Sequence, residues 1–141
     1  MAEQSFNVTE DVKIMASIGH VCLQWSRLEM AILGIIYAIE ATTPEKGELI
    51  YGGLDIIPRI NMAARLAEHE KLSRPLKKRI GEIRKALQGK GMYDGLAARR
   101  NQIVHGAHRD MENGTTTLTM VRWRGERRDK VFTAIQINEL A

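Results

Sequence analysis

Residues 9–41 read TEDVKIMASIGHVCLQWSRLEMAILGIIYAIEA, and their spacing decides the fold class. Apolar residues recur at Ile14, Ile18, Val21, Trp25, Leu28, Ile32, Ile35 and Ile39. Steps that alternate between four and three mark a seam along one face of a helix, and the run predicts a single long one. Thr9 is placed to cap it, with Glu10 and Asp11 at the positive end of its dipole. Thr42-Thr43-Pro44 predicts its end near Ala41. A second line, Met15, Cys22, Glu29 and Ile36, follows the seam at intervals of seven. Glu29 is its one charge. A carboxylate among apolar neighbours needs a cation or donors around it. Glu29 therefore reads either as an edge position reaching solvent or as a structural partner for an arginine further along the chain.

Outward from this helix the pattern stays helical. Pro44, Gly47, Gly52 and Gly53 mark a connection with a short helical turn through Glu48-Leu49-Ile50. A second helix is predicted after Pro58, through Ile60, Ala63 and Ala67, to about Leu72. Ser73 and Arg74-Pro75 open a third, which uses Leu76, Ile80, Ile83 and Leu87 inward and Lys77, Lys78, Arg79, Arg84 and Lys85 outward. After Gly89, Gly91 and Gly95, a fourth helix is predicted from Met92 or Tyr93 to His108. The stretches Thr115–Trp123 and Lys130–Ile137 are rich in Thr, Val, Ile, Phe and Trp, and read as a β-hairpin. Asn138 to Ala141 reads as the capped start of another helix, so the natural chain can extend past Ala141. The expected architecture is mainly α: one domain over 1–141, with a helical core over about 9–109 and a hairpin tail over about 115–137.

The net charge of +4 is unevenly spread. Residues 1–70 carry 5 Lys/Arg against 10 Asp/Glu, residues 71–109 carry 11 against 2, and the remainder 5 against 5. A central third this basic attracts polyanions, nucleic acid among them, unless it only balances the acidic first half. One cysteine, Cys22, excludes an intramolecular disulfide and a Cys-rich zinc site. The N-terminus lacks the basic-then-apolar order of a signal peptide, and no run reads as ~18–20 consecutive apolar residues. The expectation is a soluble, cytoplasmic protein with no membrane partner. No Walker loop, dinucleotide-binding glycine motif, nucleophile elbow or Cys–His pair is present. His20 and His69 read as structural or solvated. The hairpin tip, Arg122 to Lys130 with Trp123, reads as a charged turn that keeps an edge soluble, or as a grip on a nucleic-acid backbone.

The chemistry concentrates in the fourth predicted helix, in Ala97-Ala98-Arg99-Arg100-Asn101-Gln102-Ile103-Val104-His105-Gly106. At ~100° per residue, Asn101 and His105 share a face, joined by His108 if the helix runs that far. Arg100 stands to one side, within reach of the imidazole. The run resembles the signature of the HEPN superfamily: an Arg followed by a polar residue and, a turn or more later, a His. Arg100, Asn101 and His105 fit its RNxxxH form, and Gly106 after the His is frequent in relatives. The likeness covers the helical layout of about 9–109 and leaves the hairpin outside.

The resemblance implies a HEPN-like bundle of four to five helices and metal-independent RNA endonuclease activity, with no cofactor. RNA carries its own nucleophile, the 2′-OH. His105 suits proton transfer near neutral pH, Arg100 offers a charged fork to phosphate, and Asn101 orients the His or binds substrate. Arg99, His108, Arg84 and Lys85 are the expected RNA-binding residues. One motif supplies one acid–base group, whereas in-line cleavage gains from two. A homodimer pairing two motifs completes the count, as HEPN nucleases do. The resemblance also suggests toxin–antitoxin, phage-defence or RNA-processing systems, with an antitoxin or other regulatory protein as a further partner. Rival readings are a structural His105 beside Arg100 and Glu29, a metal held by His105 and His108, and a non-catalytic HEPN module binding RNA or a protein.

Overall fold

The computed structural model describes residues 8–91, 94–105, 107–112, 115–121 and 127–141, with side chains over 12–91, 94–104 and 133–141. The described elements are α1 (Val8–Glu40), α2 (Pro44–Tyr51), α3 (Ile56–His69), α4 (Arg74–Gln88), α5 (Leu96–His105), β1 (Ala107–Glu112), β2 (Thr115–Val121), β3 (Arg127–Thr133) and α6 (Ala134–Asn138). The helical-bundle expectation holds. The chain divides into two compact units, one of Met1–Trp25 with Arg99–Ala141 and one of Ser26–Ala98.

α1 is the predicted long helix, 33 residues or about 50 Å. It opens at Val8, a residue before the expected Thr9 cap, and closes at Ala41, which takes a left-handed φ of 49° while Thr42 N–H donates to the Tyr37 carbonyl. The seam is real: Ile14, Val21, Trp25 and Ile32 are buried, and Ile18, Leu28, Ile35 and Ile39 are half-buried. The parallel line is mixed, with Met15 exposed, Cys22 and Glu29 half-buried and Ile36 buried. By length and composition Val12–Glu40 is long and apolar enough to cross a membrane. That revises the expectation that no run qualifies. The same helix buries Ile14 and Val21 in the first unit and Ile32, Leu33 and Ile36 in the second.

In the Ser26–Ala98 unit, the expected turn at 48–50 is a full helix. Thr43 caps α2 by accepting from Lys46 N–H, and Pro44 fills its first turn. Gly47 lies so close to the Tyr37 ring that a Cβ has no room. α3 and α4 form a helical hairpin across Lys71, whose left-handed φ of 53° lets Leu72 N–H bond back to Ala67. Lys77 pairs with Glu68 at 2.9 Å, and Gln88 donates to Asn61 at 3.0 Å. Ile60, Ala63 and Ala67 of α3 are buried, as are Ile80 and Leu87 of α4. Leu76, expected inward, is 54% exposed. Ser73 precedes α4 as expected but makes no side-chain cap bond.

In the other unit, Ile14, Val21, Ile103 and Ile137 form a core, with Ile18, Ala134 and Leu140 against it. The two-stranded hairpin drawn over 115–137 is not what the chain forms. Three strands run antiparallel in the order β1-β2-β3, with His108 opposite Leu118 and Thr117 opposite Val131. The ladder shifts register between Arg109 and Glu112. Ala134–Asn138, assigned mostly to the second strand, is helix α6. Its start is a reciprocal capping box: Thr133 Oγ1 accepts from Gln136 N–H, and the Gln136 side chain accepts from Thr133 N–H. The helix expected to begin at Asn138 therefore begins at Ala134. The expected fourth-helix start at Met92 or Tyr93 and the hairpin tip around Trp123 lie outside the described residues.

Candidate functional site

α5 carries the RNxxxH run. Its entry is fixed by Gly95, which is buried against the backbone of Leu87 and Gln88 with no space for a Cβ. Ile103 anchors the helix, fully buried with Ile14, Val21 and Ile137. Asn101, about 160° round the helix from Ile103, is exposed, as is Arg99, and Arg100 is half-buried.

Two contacts among the described residues hold Arg100. Its guanidinium lies over the Trp25 ring, 5.6 Å from the centroid, where the ring's negative face attracts a cation. Its Nη1 donates to Asn101 Oδ1 at 2.9 Å. Asn101, expected to orient the imidazole or bind the substrate, accepts this bond from the arginine. By its spacing Trp25 belongs only to the apolar seam. Its role as a platform for Arg100 follows from α1 and α5 meeting in the fold, and no local pattern announces it.

His105 is the last residue of α5, one turn after Asn101 along the same face of the helix. Its side chain is outside those described. His108 does not continue that face. α5 stops at His105, and His108 pairs within the β1–β2 ladder opposite Leu118. Strand pairing overrides the helical pattern there, and a glycine follows His105 in the sequence, the residue type at which helices commonly stop. The i, i+3 spacing of His105 and His108 on one helix, which the metal reading required, is therefore lost. Among the described residues no group of three or more His, Cys, Asp or Glu is arranged to hold a metal ion.

The other expected site residues fall in the Ser26–Ala98 unit. Glu29 is half-buried on α1. Arg84 and Lys85 are exposed on α4, and Arg84 lines a cavity shared with α3. His20 is exposed beside Gln24, and His69 is exposed beside Glu70, in keeping with structural or solvated roles. Compared with family models, curated proteins and solved structures, the chain matches none.

Proposed function

We propose that the chain is a cytoplasmic RNA endonuclease of HEPN type, acting as a homodimer. Arg100, Asn101 and His105 of each protomer form one half of a composite site. The observation that carries the reading is the RNxxxH spacing on α5: an arginine with a neighbouring Asn bonded to its guanidinium, and a His one turn on. One His105 removes the 2′-OH proton, and the oxygen attacks the adjacent phosphorus. The bond to the 5′-oxygen breaks, and the second His105 supplies that oxygen's proton. Arg100 stabilises the charge that builds on the phosphoryl oxygens. The products are a 2′,3′-cyclic phosphate and a 5′-hydroxyl, with no metal in the step.

The test is cleavage of a mixed RNA pool by wild type and His105→Ala, with and without chelator. Expected are fragments with 2′,3′-cyclic ends from wild type alone, unaffected by chelator. Intact RNA from both proteins removes the nuclease reading, and cleavage abolished by chelator removes the metal-free mechanism.

The second reading is a non-catalytic HEPN module that binds RNA or a partner protein, such as an antitoxin. The hold of Trp25 and Asn101 on Arg100 favours it, because a guanidinium engaged within the protein serves structure as well as phosphate. Retained RNA binding without cleavage selects this reading.

A further inference from the structure

α4 is far more basic than its own ion pairs require. Arg74, Lys77, Lys78, Arg79, Arg84 and Lys85 stand against Glu82 alone within the helix. Glu82 lies 3.9 Å from Lys78 and 3.7 Å from Arg79, and Glu68 of α3 holds Lys77 at 2.9 Å. Arg65, Arg74, Arg84 and Lys85 enter no ion pair among the described residues.

These cations are ordered. Arg74, Lys77, Lys78, Gly81, Arg84 and Lys85 follow one another at helical-turn spacing along one face of α4, with a rise of about 5.4 Å per turn. Against this face α3 closes a cavity of about 340 Å³. It is lined by three cations, Arg65, Lys77 and Arg84, by the Glu68 carboxylate that pairs with Lys77, and by small or apolar residues. Gly81 lies in the lining of this cavity. Glycine weakens a helix interior relative to alanine, and a close packing contact is its usual justification. At Gly81 an added Cβ meets nothing within 4 Å. A side chain added there has open space to occupy.

The lining has no aromatic side chain. Protein–protein interfaces draw most of their energy from buried aromatic and arginine anchors in apolar pockets. A phosphate backbone needs only cations that it can approach. We infer that the α3/α4 groove is a binding site for the backbone of single-stranded RNA, with Arg65 and Arg84 contacting phosphates on either side of the open position at Gly81. The inference rests on RNA being the substrate of the α5 motif and adds a second contact site for it. With no base-stacking group in the groove, binding there is independent of sequence.

The experiment uses the full chain carrying His105→Ala, so that the RNA stays intact, and reads fluorescence anisotropy of a labelled mixed-sequence single-stranded RNA across a salt series. Arg65→Gln with Arg84→Gln is expected to weaken binding about tenfold and to lower the salt slope by about 1.4, at roughly 0.7 per phosphate contact on a single strand. Gly81→Gln, which fills the groove without changing charge, is expected to weaken it about threefold or more. Arg79→Gln with Lys46→Gln is the charge-matched control. Arg79 is two residues from Gly81 and so about 160° round the helix. This control is expected to change affinity less than twofold. Equal losses in the control and groove pairs reduce the effect to net charge and overturn the site, as does full affinity in Gly81→Gln or no RNA binding by the parent. Displacement of the labelled RNA by polyglutamate at lower concentrations than by unlabelled RNA assigns the groove to an acidic protein instead. Absent cleavage by wild type with these binding losses intact sinks the nuclease reading and leaves the groove standing.

Discussion

The Arg100 guanidinium lies 5.6 Å from the centre of the Trp25 ring, so the charge of the RNxxxH run rests on an aromatic platform from α1. A contact of this kind contributes about 0.5–2 kcal/mol, rising as water is excluded. Arg100→Met keeps an unbranched stem and removes the charge. It is expected to lower stability by about 1 kcal/mol in chemical denaturation and to alter the tryptophan emission. If both readouts match wild type, the guanidinium does not rest on Trp25 in solution.

On the nuclease reading, structure and catalysis separate at the same residue. Arg100→Lys preserves charge over the ring and loses the planar fork that binds phosphate through two parallel bonds. On the nuclease reading, cleavage falls about 100-fold, the scale for loss of one transition-state donor, while stability changes by less than about 1 kcal/mol. Cleavage rates measured beside denaturation curves distinguish this from a purely structural arginine, for which rate and stability fall together.

The parts of this fold that were legible are those set by local periodicity. The four-and-three steps from Ile14 to Ile39 gave α1 almost to its ends, and Ile80 with Leu87 gave the inner face of α4. Misreadings came where two local patterns compete. Ile135 and Ile137 alternate as in a strand, yet the Thr133–Gln136 capping box turns them into α6. His108 continues a helical face on paper, and pairing with β2 claims it instead. For the candidate site, the residue types and spacing of Arg100, Asn101 and His105 were readable. The Trp25 platform and the open space over Gly81 were not, because both depend on which helices meet.

The capping box makes its own prediction. Thr133→Ala removes the acceptor of the Gln136 N–H and is expected to cost about 1 kcal/mol. Thr133→Ser, which keeps the hydroxyl, should stay within a few tenths of wild type on the same scale. Ile137→Ala empties a fully buried position and is expected to cost about 2–5 kcal/mol. Urea denaturation orders the three. A Thr133→Ala protein as stable as wild type would show that α6 does not depend on its cap.

Two glycines of the Ser26–Ala98 unit respond in opposite directions to the same substitution. Gly81→Ala adds a methyl where nothing lies within 4 Å, and is expected to stabilise by about 0.5–1 kcal/mol through helix propensity. Gly95→Ala drives a methyl into the backbone of Leu87 and Gln88 and is expected to destabilise by about 1–3 kcal/mol. Thermal melts check both signs, and a stabilised Gly95→Ala would overturn the close approach that positions the start of α5.

Tyr51 and Glu40 set the response to alkali. The hydroxyl of buried Tyr51 donates to Glu40 Oε1 at 2.5 Å. This bond, then burial, then the carboxylate's charge, push the phenol from 10.0 up to about 12. The folded protein thus holds the phenolic proton more tightly than the unfolded chain does. Below pH 10.0 both states keep the proton, and the contribution to stability is complete. Between there and about 12 the unfolded chain releases it first, so stability falls as pH rises through that window. Tyr51→Phe has no proton to release and lacks this component of the decline. Melting temperatures of the two proteins across the window should therefore converge as pH rises, with wild type losing the larger amount. Parallel curves would mean that the Tyr51–Glu40 bond is not held in solution.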